Sequence, residues 1–453
     1  MLDRDSLAIL QEAVDRLDSG FDQLPAFETK IDHDAVRAVL LDAADRLRDN
    51  YPYPHPLYAG QMLKPPHPAA RLAYQLAQSM NPNNHALDGG RASSAMEKEA
   101  VAEIARMLGW ESHLGHLTGA GTMANLEALW VAASLAGRGR TVLASNQAHY
   151  THSRICGVLG IPFDSVEVDR RARMDVGALR ARLERGDVGT VVATLGTTAT
   201  GSVDPLPEIL RLREEFGFRL HVDAAYGGYF TLAGNLGAGA RRAFDLLESV
   251  DSIVIDPHKH GLQPYGCGCV LFRDPSVGAL YKHDSPYTYF SSAELHLGEI
   301  SLECSRPGAA AVALWATQRL LPLARGGEFA GMLDRCRSAA IELHARLAAD
   351  TRFILPFAPE LDIVVWAVKA DTAAESSRLA RAVFEECARR DLHLALANLP
   401  SQLFDSVWFD SEAQSVTCLR SCLMKPEHAE WLEPIWERLD AATAVVCGAS
   451  PQH

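Results

Sequence analysis

The sequence has no Cys-x-x-Cys pair, no long apolar run and no excess of basic charge. Its nine cysteines are scattered from Cys156 to Cys447. The one close pair, Cys267-Gly-Cys269, is too tight and too isolated for a zinc site, so no metal is expected and the cysteines read as reduced thiols of a cytoplasmic protein. The longest apolar run, Ala309 to Ala316, is far too short to span a membrane. The 43 lysines and arginines are outnumbered by 57 aspartates and glutamates, a net charge of −14. That sign argues against a nucleic-acid partner and against docking on anionic lipid. The opening residues, Met1-Leu-Asp-Arg-Asp-Ser, lack a basic region followed by an apolar core, so no signal peptide is expected. What remains is a chain of 453 residues, 48% hydrophobic and 22% charged. Such a composition is that of a globular protein with ample core, one large domain and a smaller one.

Two stretches carry the chemistry. In Asp251-Ser-Ile-Val-Ile-Asp-Pro-His-Lys259-His-Gly261, a short apolar run reads as a buried strand. Pro257 cannot continue it, having no N–H to give to a sheet. Lys259 is therefore expected just beyond a strand end, where an amine can form an imine with an aldehyde. Taken alone, it reads as a solvated surface lysine. In His221-Val-Asp-Ala-Ala-Tyr-Gly-Gly228, a second buried strand ends in Asp223. An acid and a lysine at the ends of two successive strands are what pyridoxal phosphate requires: an imine-forming amine and a carboxylate to keep the pyridine nitrogen protonated.

The rest of the chain agrees in placement. Residues 1 to about 50 carry apolar positions at helical spacing and predict one or two amphipathic helices. The proline-broken segment Tyr51 to Tyr58 is a pocket wall or a crossing loop. A helix is predicted from Ala95 to Trp110, with Ser93 or Ser94 as its N-cap. Leu117-Thr-Gly-Ala-Gly-Thr-Met-Ala-Asn125 is a glycine-rich turn opening a helix, whose free N–H groups and dipole favour an anion at Ala120, Gly121 and Thr122. Strands are predicted at Thr141 to Ser145, Thr190 to Leu195, Arg219 to Asp223, Ile253 to Ile255 and Cys267 to Arg273, alternating with helices. This predicts a mainly parallel sheet whose ligand lies beyond the carboxyl ends of the strands. Thr122, His149, Thr197, Asp223 and Lys259 all fall near that edge, whereas His152 reads as a helix-face residue. Beyond about residue 322, helices and strands at Leu361 to Val368, Leu392 to Ala397 and Ser415 to Leu423 form a small α/β domain. Arg420 lies inside the last strand, which is unusual for arginine without an anionic partner.

With these residues assembled, the chain resembles the group II pyridoxal-phosphate-dependent amino-acid decarboxylases. The likeness rests on Leu117 to Leu129, Gln147 to Gly160, Thr194 to Pro205, His221 to Gly228, Asp256 to Gly268 and Leu419 to Pro426. Ile255 to Lys259 and Asp284-Ser-Pro-Tyr287 look like the archaeal-type tyrosine/aspartate decarboxylases, and Ser305-Arg-Pro-Gly308 looks like sphingosine-phosphate lyase. The resemblance implies an aspartate-aminotransferase-type fold (PLP fold type I) with a seven-stranded, mainly parallel sheet. It also implies an N-terminal helical arm (1–55), a cofactor-binding large domain (56–320) and a C-terminal small domain (321–453), assembled as a homodimer. It gives Lys259 the imine with the cofactor, Asp223 the pyridine nitrogen, and His149 the face of the ring. Ala120, Gly121, Thr122 and His258 would contact the phosphate, and Thr197 and Ala225 would line the ring. Tyr287 would return a proton, and Arg420 or Arg306 would take the substrate carboxylate, with Tyr58 near the substrate. Asp256, where the family commonly has asparagine, serine or threonine, stands apart from direct phosphate contact. The implied reaction is α-decarboxylation of an aromatic or acidic L-amino acid; the alternative is carbon–carbon cleavage of the sphingosine-phosphate-lyase type.

Overall fold

The computed structural model describes residues 3–25, 30–282, 295–404, 408 and 414–448. Seven strands form the larger sheet: β1 (Leu114–Thr118), β2 (Thr141–Ser145), β3 (Phe163–Val166), β4 (Val188–Thr194), β5 (Arg219–Asp223), β6 (Ser252–Ile255) and β7 (Gly268–Phe272). Their order is β1-β7-β6-β5-β4-β2-β3. The strands from β3 to β6 pair in parallel, and β7 runs antiparallel to both β6 and β1. Strands β2, β4, β6 and β7 are buried along their whole length. Helices cover both faces of such a sheet, which is why these strands are near-continuous Val, Ile, Leu and Ala rather than alternating. In register, Thr194 of β4 lies beside Asp223 of β5, and Asp223 beside Val254 of β6. Three strand ends are therefore level, and their loops leave from one edge.

The helix Gly121–Ala136 packs on β4 to β7 and is buried on most sides. The helix Gly308–Leu320 packs against Pro68–Gln78 and Leu87–Met107. The predicted cap at Ser93 or Ser94 is corrected here. The helix begins at Leu87 and breaks its geometry at Gly90, so both serines are interior. Ser93 Oγ bonds the Gly90 carbonyl across that kink. Strand β3, polar and at the sheet's edge, had no apolar run to announce it.

A second sheet, all antiparallel, has the order β10-β11-β9-β8, with β8 (Phe353–Ile354), β9 (Ile363–Val368), β10 (Ala395–Pro400) and β11 (Ser415–Cys422). It is covered by the helices Glu328–Ala349, Ala373–Arg389 and Leu432–Cys447 around a fully buried Trp366. Strand β10 starts three residues later than its apolar pattern predicted. Asp391 turns in the left-handed region (φ 64°), and His393 N–H then binds Leu57 O before the strand begins. The segment at Leu57 and Ala59 thus joins the small-sheet core, with Cys422 N–H bound to Ala59 O at 2.8 Å.

At the N-terminus, the helices Arg4–Asp18 and His33–Leu47 are capped by Asp3 and Asp32 and bury no residue. Leu7, Ile9, Val39, Leu40 and Leu41 are exposed on them. Among the described residues, no helix is long and apolar enough to cross a membrane.

Candidate active site

The level ends of β4, β5 and β6 and the start of the helix Gly121–Ala136 enclose a cavity of about 190 Å³. Its floor and walls include Ala120, Gly121, Thr122, His149, Asp223, Ala225, His258 and Lys259. Eight of the residues singled out in the sequence are therefore brought to one place.

Each is placed by a local reason. Ala120 is extended (φ −174°) and has no capping side chain, so the first N–H groups of the helix face the cavity without a side-chain acceptor. Gly121 leaves room for Asp256: a Cβ there would lie 2.6 Å from Asp256 Oδ2 and push that carboxylate aside. Beyond β6, the turn is closed by Lys259 N–H on Asp256 O at 2.9 Å. His258 is tied to the residue just before β7 by its N–H and by Nδ1, both on Cys267 O. Lys259 Nζ stands 3.0 Å from Asp256 Oδ2, with its side chain 22% exposed in an otherwise buried setting. Asp256 lies at the mouth of the same helix N-terminus, and its Oδ1 has no hydrogen-bond partner among the described residues.

Asp223 closes β5. Its Oδ1 accepts the Ala225 N–H at 3.0 Å, and its Oδ2 accepts from His152 Nε2 at 3.0 Å. Burial opposes the charge on Asp223. The His152 hydrogen bond, nearby Lys259 and the Ala225 N–H outweigh it and hold the carboxyl well below the usual carboxylate range. His149 follows β2 and is fixed by Thr151 N–H on its Nδ1 at 3.2 Å. Burial lowers its basicity, with Asp223 acting in the opposite direction. Below the floor, His221 bonds Asn125 Oδ1 and Ser252 Oγ at 2.9 and 2.8 Å, and burial pushes it down to about 3.

Three of the expected site residues do not line this cavity. Thr197 does not line the cavity: Gly196 turns in the left-handed region (φ 102°), and Thr197 Oγ1 is spent on Thr200 Oγ1 and Ser202 N–H inside the turn. Thr194, Gly196 and Thr198 form that wall instead. Arg306 does not line it either: its guanidinium is buried against Glu97 Oε1 at 2.7 Å and the Leu117 and Asn84 carbonyls. Tyr58 packs with Tyr53, His393 and Lys425, where burial lifts its hydroxyl to about 12. Tyr287 lies outside the described residues. Arg420, on β11, donates to Thr198 O at 2.7 Å and Gln61 Oε1 at 3.1 Å. It lines an adjoining cavity of about 390 Å³ that shares His149 and Thr198 with the first.

Sequence reading missed His152, Thr194 and Asn125. For His152 a signal existed: three residues beyond His149, it shares the first turn of the helix Thr151–Leu159 and therefore the same strand edge.

A model of the pyridoxal-dependent decarboxylase conserved domain matches residues 29–369. The chain belongs to the pyridoxal-dependent decarboxylase family. This decarboxylase is 29% identical to a probable L-tyrosine/L-aspartate decarboxylase of Methanothermobacter thermautotrophicus, over 68% of this chain and 82% of that one. It is 27% identical to the L-tyrosine decarboxylase of Enterococcus faecium, over 70% and 69%. Its fold is that of mouse CSAD (TM-score 0.78, 18% identity, 97% of this chain and 99% of that one). It is equally that of Oryza sativa TDC solved with PLP and tryptamine (TM-score 0.76, 20% identity, 98% and 99%). The enzyme is a carboxy-lyase and its cofactor is pyridoxal phosphate. The residues of the cavity fit that group. They offer an uncapped helix N-terminus kept open by a glycine, a lysine amine, a buried carboxylate, and a Thr194 hydroxyl with no partner among the described residues.

Proposed function

We propose that this decarboxylase removes CO₂ from an L-amino acid with an aromatic or acidic side chain, working as a cytoplasmic homodimer. The observation that carries the reading is the convergence of Lys259, Asp223, His149 and the Gly121 helix start on one cavity, with Arg420 lining the next. The relatives' names, L-tyrosine and L-aspartate decarboxylase, support the two substrate classes. Nine cysteines without a disulfide support the compartment. Exposed leucines and valines on the two N-terminal helices support a second copy as their cover.

When bound, pyridoxal phosphate supplies an aldehyde that captures amines and a ring that withdraws electrons from the amino acid's α-carbon. The protein's own groups do the rest. The helix N-terminus at Gly121 and Thr122, with His258, binds the phosphate. Lys259 supplies the amine. Asp223, charged and buried, holds a proton at the ring nitrogen. His149 covers one side of the cavity. Arg420, in a pocket otherwise lined by amides, His149, Tyr150, Thr198 and apolar groups, receives a carboxylate of the substrate. Tyr287 returns the proton to the α-carbon.

The test is a panel of L-amino acids offered to the PLP-loaded protein, with CO₂ and amine both measured. One aromatic or acidic amino acid should yield both in equal amounts, and Lys259→Ala should yield neither. Aldehyde without CO₂ would replace the reading with carbon–carbon cleavage. Sedimentation should give a dimer; a monomer at micromolar concentration would remove that part.

A further inference from the structure

His152 is fully buried, yet only one of its ring nitrogens is satisfied. Nε2 lies 3.0 Å from Asp223 Oδ2, and Nδ1 has no partner among the described residues. A histidine kept only to fill space would be a costly choice here, because an apolar side chain fills the same volume without burying an unpaired polar atom. The nitrogen that is paired is aimed at Asp223, one of the two carboxylates, with Asp256, that line the cavity. Because the Asp223 carboxylate is an acceptor only, His152 Nε2 must be the donor.

The topology adds a second argument. His152 sits in the first turn of the helix that follows β2, and Asp223 ends β5, with β4 lying between the two strands. The His152 bond therefore crosses a whole strand. His149 stands just before that helix, and its carbonyl accepts the His152 N–H. One side chain thus fixes the distance between the histidine on the cavity wall and the acid on its floor. With Ala225 N–H holding Oδ1 and His152 holding Oδ2, Asp223 has neither rotational freedom nor a reason to take up a proton.

We propose that His152 is a positioning residue that clamps Asp223, so that the carboxylate stays charged and aimed at the cofactor's ring nitrogen. The proposal rests on the role given above to Asp223 and is tested separately from it. The probes are pyridoxal phosphate and its carbocyclic analogue, in which the ring nitrogen is replaced by C–H, each titrated into apoenzyme and read by equilibrium binding. Wild type should prefer pyridoxal phosphate. His152→Leu should weaken pyridoxal phosphate on the order of tenfold, the factor carried by one hydrogen bond to a charged group, and leave the analogue nearly unchanged. His152→Gln places an amide N–H near the position of Nε2 and should restore most of the preference. Equal weakening of both probes by His152→Leu, or no weakening, overturns the clamp and leaves His152 a packing residue. Asp223→Ala is the companion. If it too keeps the preference, the assignment of Asp223 falls. If it erases the preference while His152→Leu keeps it, only the clamp falls. Should His152→Leu not fold, the Gln variant decides alone: a preference far below wild type in a folded protein with an N–H donor at that position overturns the clamp.

Discussion

Two arginines stood out in the sequence as candidates for the substrate carboxylate, and the structure gives them opposite employment. Arg306 is 4% exposed and meets Glu97, itself 2% exposed, at 2.7 Å. Two carbonyls take further N–H groups, and its Nε, without a partner among the described residues, is buried with the rest. Arg420 is as deeply buried but bonds only neutral oxygens, so its charge is uncompensated by any described carboxylate in direct contact. Removing one partner of a buried ion pair costs roughly 3–5 kcal/mol, because the other is stranded. Arg306→Met should therefore lower the free energy of unfolding by about that amount, read by urea denaturation of the apoenzyme. A loss under about 1 kcal/mol would mean that Glu97 finds another partner or a proton. The sequence could not separate the two arginines. Glu97 is 209 positions from Arg306, and nothing local marks it as the partner. Lys259 and Asp223 were legible because each stands at the end of an apolar run, where the chain must leave the core.

At the scale of elements, strand ends and helix starts carried most of what was readable. Except for β3, the strands from β2 to β7 are written in apolar segments broken by glycine, proline or asparagine, and the shared edge follows from parallel pairing. Details inside a turn were not readable. Thr197 and Thr198 are equivalent in composition, and only the left-handed Gly196 decides which of them faces the cavity. The helix N-terminus at Gly121 offers a direct test of the anion seat. Gly121→Ala puts a methyl 2.6 Å from Asp256 Oδ2, a side-chain atom that can swing away, so the fold should survive. The methyl and the displaced carboxylate then occupy the seat. Affinity for pyridoxal phosphate should fall on the order of tenfold or more, with the melting temperature within a few degrees of wild type. Unchanged affinity in the folded variant would move the phosphate elsewhere.

Across the whole molecule, the two sheets are joined through buried polar groups. Asp362, at the entrance to β9, accepts the Tyr226 hydroxyl at 2.7 Å and pairs with His260 at 3.2 Å, one residue from Lys259. Burial of this kind makes stability depend on pH. His221 and His428 are each pushed by burial from 6.5 to about 3. His67, His113, His149, His260, His344 and His393 are shifted in the same direction, each chiefly by burial. For a base with a depressed folded value, the unfolded chain binds the proton first. The stability present above pH 6.5 is therefore lost as the pH falls from 6.5 toward 3, by up to about 1.4 kcal/mol per pH unit for each fully shifted group. Asp204 works against this. Burial raises it from 3.8 to about 7, so its contribution is largest below 3.8 and is lost as the pH rises toward 7. The histidines outnumber it, and the net expectation is a steady loss of stability on the acid side. His428→Gln tests the account away from the cavity. Urea unfolding of the apoenzyme at pH 6.5, 5.5 and 4.5 should show a shallower decline in the variant than in wild type, by about one proton's worth of slope. Parallel declines would mean that His428 takes up its proton without opening the small-sheet core, and the acid limit of the fold would then have to lie with the histidines nearer the site.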